Sequence, residues 1–140
     1  MTTQPIVPYL TVNGAAEGIA FYQKAFGATE QARMMFEDGK RIMHAELLIN
    51  GGRVFLSDPF PEFCGGTGPA DAIAGSTVAV VIDFDSPAKV DATFARAVEA
   101  GATGESPPAD QFWGARFATL RDPFGHRWLL NAMLEKAPPG

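Results

Sequence analysis

The sequence holds a single cysteine, Cys64, so no disulfide can form within the chain. Crosslink-dependent scaffolds are excluded, and a reducing, cytoplasmic setting suits the chain. Cys64 lies in a Gly-rich stretch with no second Cys or His at metal-ligand spacing, and reads as a bystander thiol. The opening residues Met1-Thr2-Thr3-Gln4-Pro5 carry neither a basic region nor an apolar one, so no secretory signal is expected. No apolar run approaches the roughly 18 residues that cross a bilayer. Basic residues are few, 11 Lys and Arg against 16 Asp and Glu, for a net charge of -5. Without a basic cluster the chain lacks the electrostatic footprint for nucleic acid or an anionic membrane. No Gly-rich phosphate loop follows a strand, and nothing marks a Ser/His/Asp nucleophile. Small organic molecules and other proteins remain as partners.

What is present is a globular composition, 46% hydrophobic and 19% charged over 140 residues, fit for one domain. Ile6 to Val12 reads as a strand stopped by Asn13-Gly14. Ile19, Tyr22 and Phe26 recur at three- and four-residue steps, which predicts a helix over 15–26 capped by Gly27. Strands are expected over 29–36, 41–49 and 53–57, the last two joined by the hairpin signal Asn50-Gly51. A Pro- and Gly-rich linker follows. Then come a strand over 77–82 and a helix opened by Ser86-Pro87, with Val90, Phe94, Ala97 and Val98 as its buried stripe. Strands over 115–121 and 126–131 flank the turn Asp122-Pro123-Phe124-Gly125. Gly27-Ala28-Thr29 recurs as Gly101-Ala102-Thr103, and the hairpin glycine Gly51 as Gly125, both 74 residues on. Two landmarks at one offset argue for a duplicated unit. One unit cannot cover both faces of its small sheet, whereas two side by side can.

Five segments carry a resemblance. They are Val7-Pro8-Tyr9-Leu10-Thr11-Val12, Ala20-Phe21-Tyr22-Gln23-Lys24-Ala25-Phe26-Gly27-Ala28, Met43-His44-Ala45-Glu46-Leu47, Asp110-Gln111-Phe112-Trp113-Gly114-Ala115-Arg116-Phe117 and Asp122-Pro123-Phe124-Gly125-His126-Arg127-Trp128. In this order they resemble the PhnB-like branch of the vicinal-oxygen-chelate (glyoxalase/bleomycin-resistance/dioxygenase) superfamily. The resemblance implies an α+β fold in which two βαβββ modules form an eight-stranded mixed-sheet cup with helices on the outer face. Module one would span 1–58, the linker 59–75, module two 76–133 and a frayed tail 134–140, within a single domain of 1–140. It also implies a homodimer. In the metal-dependent relatives four ligands point into the cup. The matching positions here hold Val7, Phe55, Thr77 and Leu129, of which only Thr77 bears a side-chain oxygen. Transition metals favour imidazole, thiolate or carboxylate, so no metal and no cofactor are expected at those positions. S-adenosylmethionine-dependent methyl transfer, also associated with this branch, is disfavoured because its Gly-rich loop is missing.

Strand alternation indicates what else faces the cup. With a two-residue Asn50-Gly51 turn, Glu46 pairs with Phe55, so His44 and Glu46 face inward with Phe55, as do Tyr9 and Arg53. Shifting His44 and Glu46 by 74 residues gives Ala118 and Leu120, and Arg116 shares their face. The expected site therefore combines His44 and Glu46 as an acid/base pair with Tyr9, Phe55, Trp113 and Arg116 as ligand-binding residues, Arg116 being an anion clamp or, alternatively, a cross-cup ion-pair partner of Glu46. The alternative for His44 and Glu46 is a salt-bridged pair that stabilises the strand or a dimer contact. His126 is expected to serve the turn. Three functions follow: small-molecule binding without the usual metal, a metal-independent isomerase or lyase using Glu46 or His44, and a metalloenzyme with a relocated site.

Overall fold

The computed structural model describes residues 4–62 and 78–134. Cys64, Thr77, most of the 59–75 linker and most of the 134–140 tail lie outside the described residues. The elements run β1 (Tyr9–Thr11), α1 (Ala15–Phe26), β2 (Thr29–Met35), β3 (Ile42–Ile49), β4 (Gly52–Ser57), β5 (Ala79–Phe84), α2 (Pro87–Ala100), β6 (Thr103–Asp110), β7 (Ala115–Arg121) and β8 (Arg127–Met133). This is the βαβββ order stated twice. The eight strands hydrogen-bond as two four-stranded mixed sheets, β1-β4-β3-β2 and β5-β8-β7-β6. Each has one parallel pair, β1 with β4 or β5 with β8, and two antiparallel pairs.

Local chemistry explains the boundaries. α1 buries Ile19, Tyr22 and Phe26 on one stripe, the spacing of a helix face. Its first free N–H groups, those of Gly14 and Ala15, are taken by the Asp58 carboxylate at 3.1 and 2.9 Å. Gly27 ends it at φ 67, a backbone state that costs a residue with a Cβ. In α2, Ser86 stands at the N-cap and Pro87 at the first turn, but the serine side chain makes no capping bond. Val90 and Ala97 are buried and Phe94 packs against the core, whereas Val98 is 41% exposed and leaves the expected stripe. β6 approaches α2 closely: a Cβ on Gly104 would stand 2.6 Å from the Phe94 ring. The Asn50-Gly51 turn takes positive φ at both residues, 51 and 82, as a two-residue hairpin with right-twisted strands requires.

One core serves both modules. Trp128 of β8 is fully buried, with Tyr22 and Phe26 of α1 at ring-centroid distances of 5.4 and 4.7 Å. Asp122, only 3% exposed, lies in the turn between β7 and β8. Its carboxylate accepts from the Tyr22 hydroxyl at 2.5 Å, Trp128 Nε1 at 2.9 Å, and the backbone N–H groups of Phe124 and His126 at 2.9 and 3.0 Å. Burial first, and then the Asp122 carboxylate, push the Tyr22 hydroxyl well above its usual 10.0. His126 is 7% exposed, and its Nε2 lies 3.0 Å from the Thr11 carbonyl oxygen, linking the start of β8 to β1.

The repeat is not uniform along the chain. β4 and β8 correspond at the 74-residue offset. Their parallel partners do not: Tyr9 pairs with Phe55 and Val81 with Leu129, an offset of 72. The counterpart of Val7 is therefore Ala79, not Thr77. β3 and β7 correspond at 73, since Glu46 pairs with Phe55 and Thr119 with Leu129. The cause is the hairpin. One more residue separates the paired Arg121 and Arg127 than separates the paired Leu48 and Arg53. A shift of one residue turns every strand side chain to the other face. Ala118 and Leu120 are consequently buried toward the helices, while Phe117 and Thr119 take the places of His44 and Glu46.

Candidate functional site

The first sheet separates its side chains cleanly. Ala45, Leu47 and Ile49 of β3, with Val54 and Leu56 of β4 and Leu10 of β1, are buried toward the helices. Tyr9, His44, Glu46, Arg53 and Phe55 stand on the opposite, open face. The parallel β1–β4 ladder puts Tyr9 beside Phe55, and the β3–β4 ladder puts Glu46 across from Phe55. Three strands thus bring one polar chain together.

That chain is continuous. The Tyr9 hydroxyl lies 2.8 Å from His44 Nδ1. His44 Nε2 lies 3.2 Å from a Glu46 carboxylate oxygen, and Arg53 reaches the other oxygen at 3.5 Å. Phe55 is the platform beneath: its ring is edge-on to Tyr9 at 5.9 Å and to His44 at 4.9 Å. The Arg53 guanidinium sits 4.9 Å from the Phe55 ring centroid, a cation–π distance. The His44 and Glu46 side chains are 27% and 31% exposed, and Tyr9 is 52% exposed. An imidazole between a phenol and a carboxylate can orient, donate and accept protons.

Arg116 is not part of this cluster. It lies on the helix side of the second sheet, paired with Asp91 of α2 at 2.9 Å and Asp110 of β6 at 3.0 Å. These two carboxylates, Asp91 foremost, hold its guanidinium above its ordinary value. The expected anion clamp is therefore corrected to an outer-face ion pair, and the hairpin register is the reason. Trp113 is half-exposed in the β6–β7 turn, edge-on to Phe112 at 5.2 Å and to Phe117 at 5.6 Å. It belongs to the second sheet rather than to the Tyr9 cluster.

Two features escaped the sequence. Arg121 and Arg127 face each other across β7 and β8, bridged by Glu105 of β6 at 3.1 and 2.9 Å. Arg127 is the counterpart of Arg53, a 74-residue recurrence visible in the sequence. The tetra-acceptor role of Asp122 had only its turn position as a signal.

The positions that the resemblance matches to metal ligands, with the first strand of the second module aligned by its pairing, hold Val7, Phe55, Ala79 and Leu129. None has a side-chain donor, so this residue set does not fit that ion. Among the described residues no group of three or more His, Cys, Asp and Glu side chains converges, so a relocated site on His44 and Glu46 has no third such ligand there. A cleft of about 180 Å³ lies between the modules, lined by residues that include Pro8, Asn50, Arg53, Asp83 and Trp128. It is smaller than ordinary ligand pockets, which span about 300–1,000 Å³, and neither Tyr9 nor His44 reaches it. Among the described residues no helix is long and apolar enough to cross a membrane.

Comparison with known proteins agrees with this architecture. Residues 4–130 match the Glyoxalase/Bleomycin resistance protein/Dioxygenase superfamily. An uncharacterized protein of Mycobacterium bovis is 44% identical over 124 residues, covering 89% of this chain and 80% of its own length. The crystal structure of a glyoxalase/bleomycin resistance protein/dioxygenase from Nocardioides superposes with a TM-score of 0.67 at 28% identity, covering 100% of this chain and 91% of that one. The PhnB protein of Bacillus cereus gives a TM-score of 0.69 at 17% identity, covering 92% of this chain and 99% of that one, a likeness of fold alone.

Proposed function

The chain belongs to the Glyoxalase/Bleomycin resistance protein/Dioxygenase superfamily, and from that premise we propose that it binds a small organic molecule on the open face of its first sheet, without the metal ligand set of its metal-dependent relatives. Within the superfamily we place it in the PhnB-like branch, on the five sequence segments that resemble it. One observation carries the binding reading. Tyr9, His44, Glu46 and Arg53 form a connected polar chain over the Phe55 ring, on the face directed away from the helices. An apolar platform with a few converging polar groups is the usual composition of a ligand site.

This site is open in one chain. Tyr9, Met34, Val81 and Met133 expose about half or more of their surface, as do Phe112 and Trp113 at the β6–β7 turn. Coverage by a second copy is the arrangement we favour, in a cytoplasmic homodimer. Light scattering at micromolar concentration should give twice the chain mass of 14.9 kDa; a monomer would refute the dimer. For the ligand, the dimer is screened against a small-molecule library by native mass spectrometry. Binding of one molecule per chain, lost in Phe55→Ala, is expected. An empty screen at millimolar ligand removes the main support.

A second reading is a metal-independent isomerase or lyase that moves a proton next to a carbonyl. The unbroken Tyr9–His44–Glu46 chain favours it, because a carboxylate-oriented imidazole is a competent general base. Glu46→Gln should then abolish turnover of a substrate found in the screen while the fold survives.

A further inference from the structure

Resting on the acid/base reading, we propose that the Tyr9 hydroxyl is the group that exchanges a proton with the ligand, with His44 as its reservoir and Glu46 as the positioning residue. Hydrogen-bond polarity leads to this assignment. An ionised carboxylate only accepts, so the bond between Glu46 and His44 places a hydrogen on Nε2. In the neutral ring Nδ1 then carries the lone pair. The 2.8 Å contact there must be donated by the Tyr9 hydroxyl. The phenol proton is thus aimed at a base, and the phenol oxygen keeps its remaining acceptor capacity for a ligand.

The charged form of the ring also has its partners in place. With both nitrogens protonated, Nδ1–H donates to the Tyr9 oxygen and Nε2–H to Glu46. The phenol then needs another acceptor for its own hydrogen. The Met43 carbonyl oxygen lies 3.4 Å from the Tyr9 hydroxyl. Met43 has no partner in the β2–β3 ladder, where the register shifts beside it, and it lies beyond the end of the β3–β4 ladder at Ala45. Both protonation states of His44 are therefore served without moving a strand. Exposure runs the same way, from 27% at His44 to 52% at Tyr9. Tyr9 is thus the more exposed end of the Tyr9–His44 pair.

The transfer balances without a further reagent. The ligand's H–X bond breaks and its proton joins the Tyr9 oxygen. The original phenol O–H bond breaks and its proton joins His44 Nδ1. The products are the ligand's conjugate base and an imidazolium paired with Glu46. The ligand class is a weak acid, either a carbon acid next to a carbonyl or an ionisable hydroxyl.

The chain has two tyrosines, and Tyr22 is fully buried, so a phenol-directed reagent reports on Tyr9. Phenylmethanesulfonyl fluoride is the probe: the phenol oxygen forms the S–O bond, fluoride leaves, and the proton goes to His44. Peptide mass spectrometry should locate the label on Tyr9. General-base help predicts labelling at least about tenfold slower in His44→Gln, with Glu46→Gln slowed in between. Equal rates in wild type and both variants overturn the proposal. Should His44→Gln fail to fold, ¹⁵N NMR of the wild-type ring decides: hydrogen on Nε2 supports the relay, and hydrogen on Nδ1 alone overturns it. Neither readout needs a bound ligand, so an empty library screen would defeat the binding reading while leaving these results to stand or fall separately.

Discussion

Replacing Asp122 by Asn keeps the shape of the side chain and removes its ability to accept four hydrogen bonds. One oxygen can still serve the backbone N–H groups of Phe124 and His126, 2.9 and 3.0 Å away. The new amide group then faces the Tyr22 hydroxyl and Trp128 Nε1. Tyr22 can rotate its hydrogen away and accept. Trp128 cannot, because its indole nitrogen is a donor only. A buried donor left unpaired costs about 1–3 kcal/mol, and a bond to a charged acceptor contributes about 1.5–3 kcal/mol. Setting the retained Tyr22 contact against these gives a loss of about 3 kcal/mol. For a domain of this size that is a fall of about 10 °C in Tm. Urea unfolding followed by tryptophan fluorescence measures it directly. Asp122→Ala, which abandons all four donors, should cost about 5 kcal/mol on the same scale. Since Tyr22 and Asp122 belong to different modules, the double variant Tyr22→Phe/Asp122→Asn should lose less than the two singles added together. A loss below about 1 kcal/mol for Asp122→Asn would refute the reasoning, since the carboxylate would then not be satisfying buried donors.

Alkaline stability should depend on Tyr22. Its folded pKa is raised above an unfolded value near 10, so the native state holds this proton more tightly. The stabilisation is complete below pH about 10 and is lost as pH climbs through the folded value. Urea midpoints from pH 8 to 11 should fall more steeply for wild type than for Tyr22→Phe, and parallel profiles would contradict the assignment. Arg116→Met should lower Tm by only a few degrees and leave ligand affinity unchanged, because its partners Asp91 and Asp110 lie on the helix side. A large loss of affinity in calorimetry would return Arg116 to the binding face.

The order and type of the elements were legible because local signals agreed with tertiary ones. The stripe Ile19, Tyr22, Phe26, the cap at Gly27, and the Asn50-Gly51 turn each have one good structural solution. The Glu46–Phe55 pairing followed from that turn, and with it the grouping of Tyr9, His44 and Phe55. The second module was harder to read. Its hairpin loop is longer, and neither Asp122-Pro123-Phe124-Gly125 nor its flanks state the register. A constant 74-residue shift placed Arg116 with the cup, and matching the first strands by their apolar pattern placed Thr77 as the counterpart of Val7. Pairing with Leu129 moves these assignments to the helix side and to Ala79 respectively. Asp122 was read as a turn former, because a sequence does not show which distant donors, here Tyr22 and Trp128, will arrive at a carboxylate.

The added residue in the second hairpin has a genetic meaning as well. Substitutions in a duplicated segment alter residues one at a time and leave each facing the side its ancestor faced. One codon gained or lost in a loop exchanges inside and outside for all seven residues of β7 together. The two halves could then follow separate histories, one strand keeping an imidazole and a carboxylate, the other presenting Phe117 and Thr119. Inheritance of a role from one half to the other therefore has to be traced through strand pairing, since counting along the gene leads to the opposite wall.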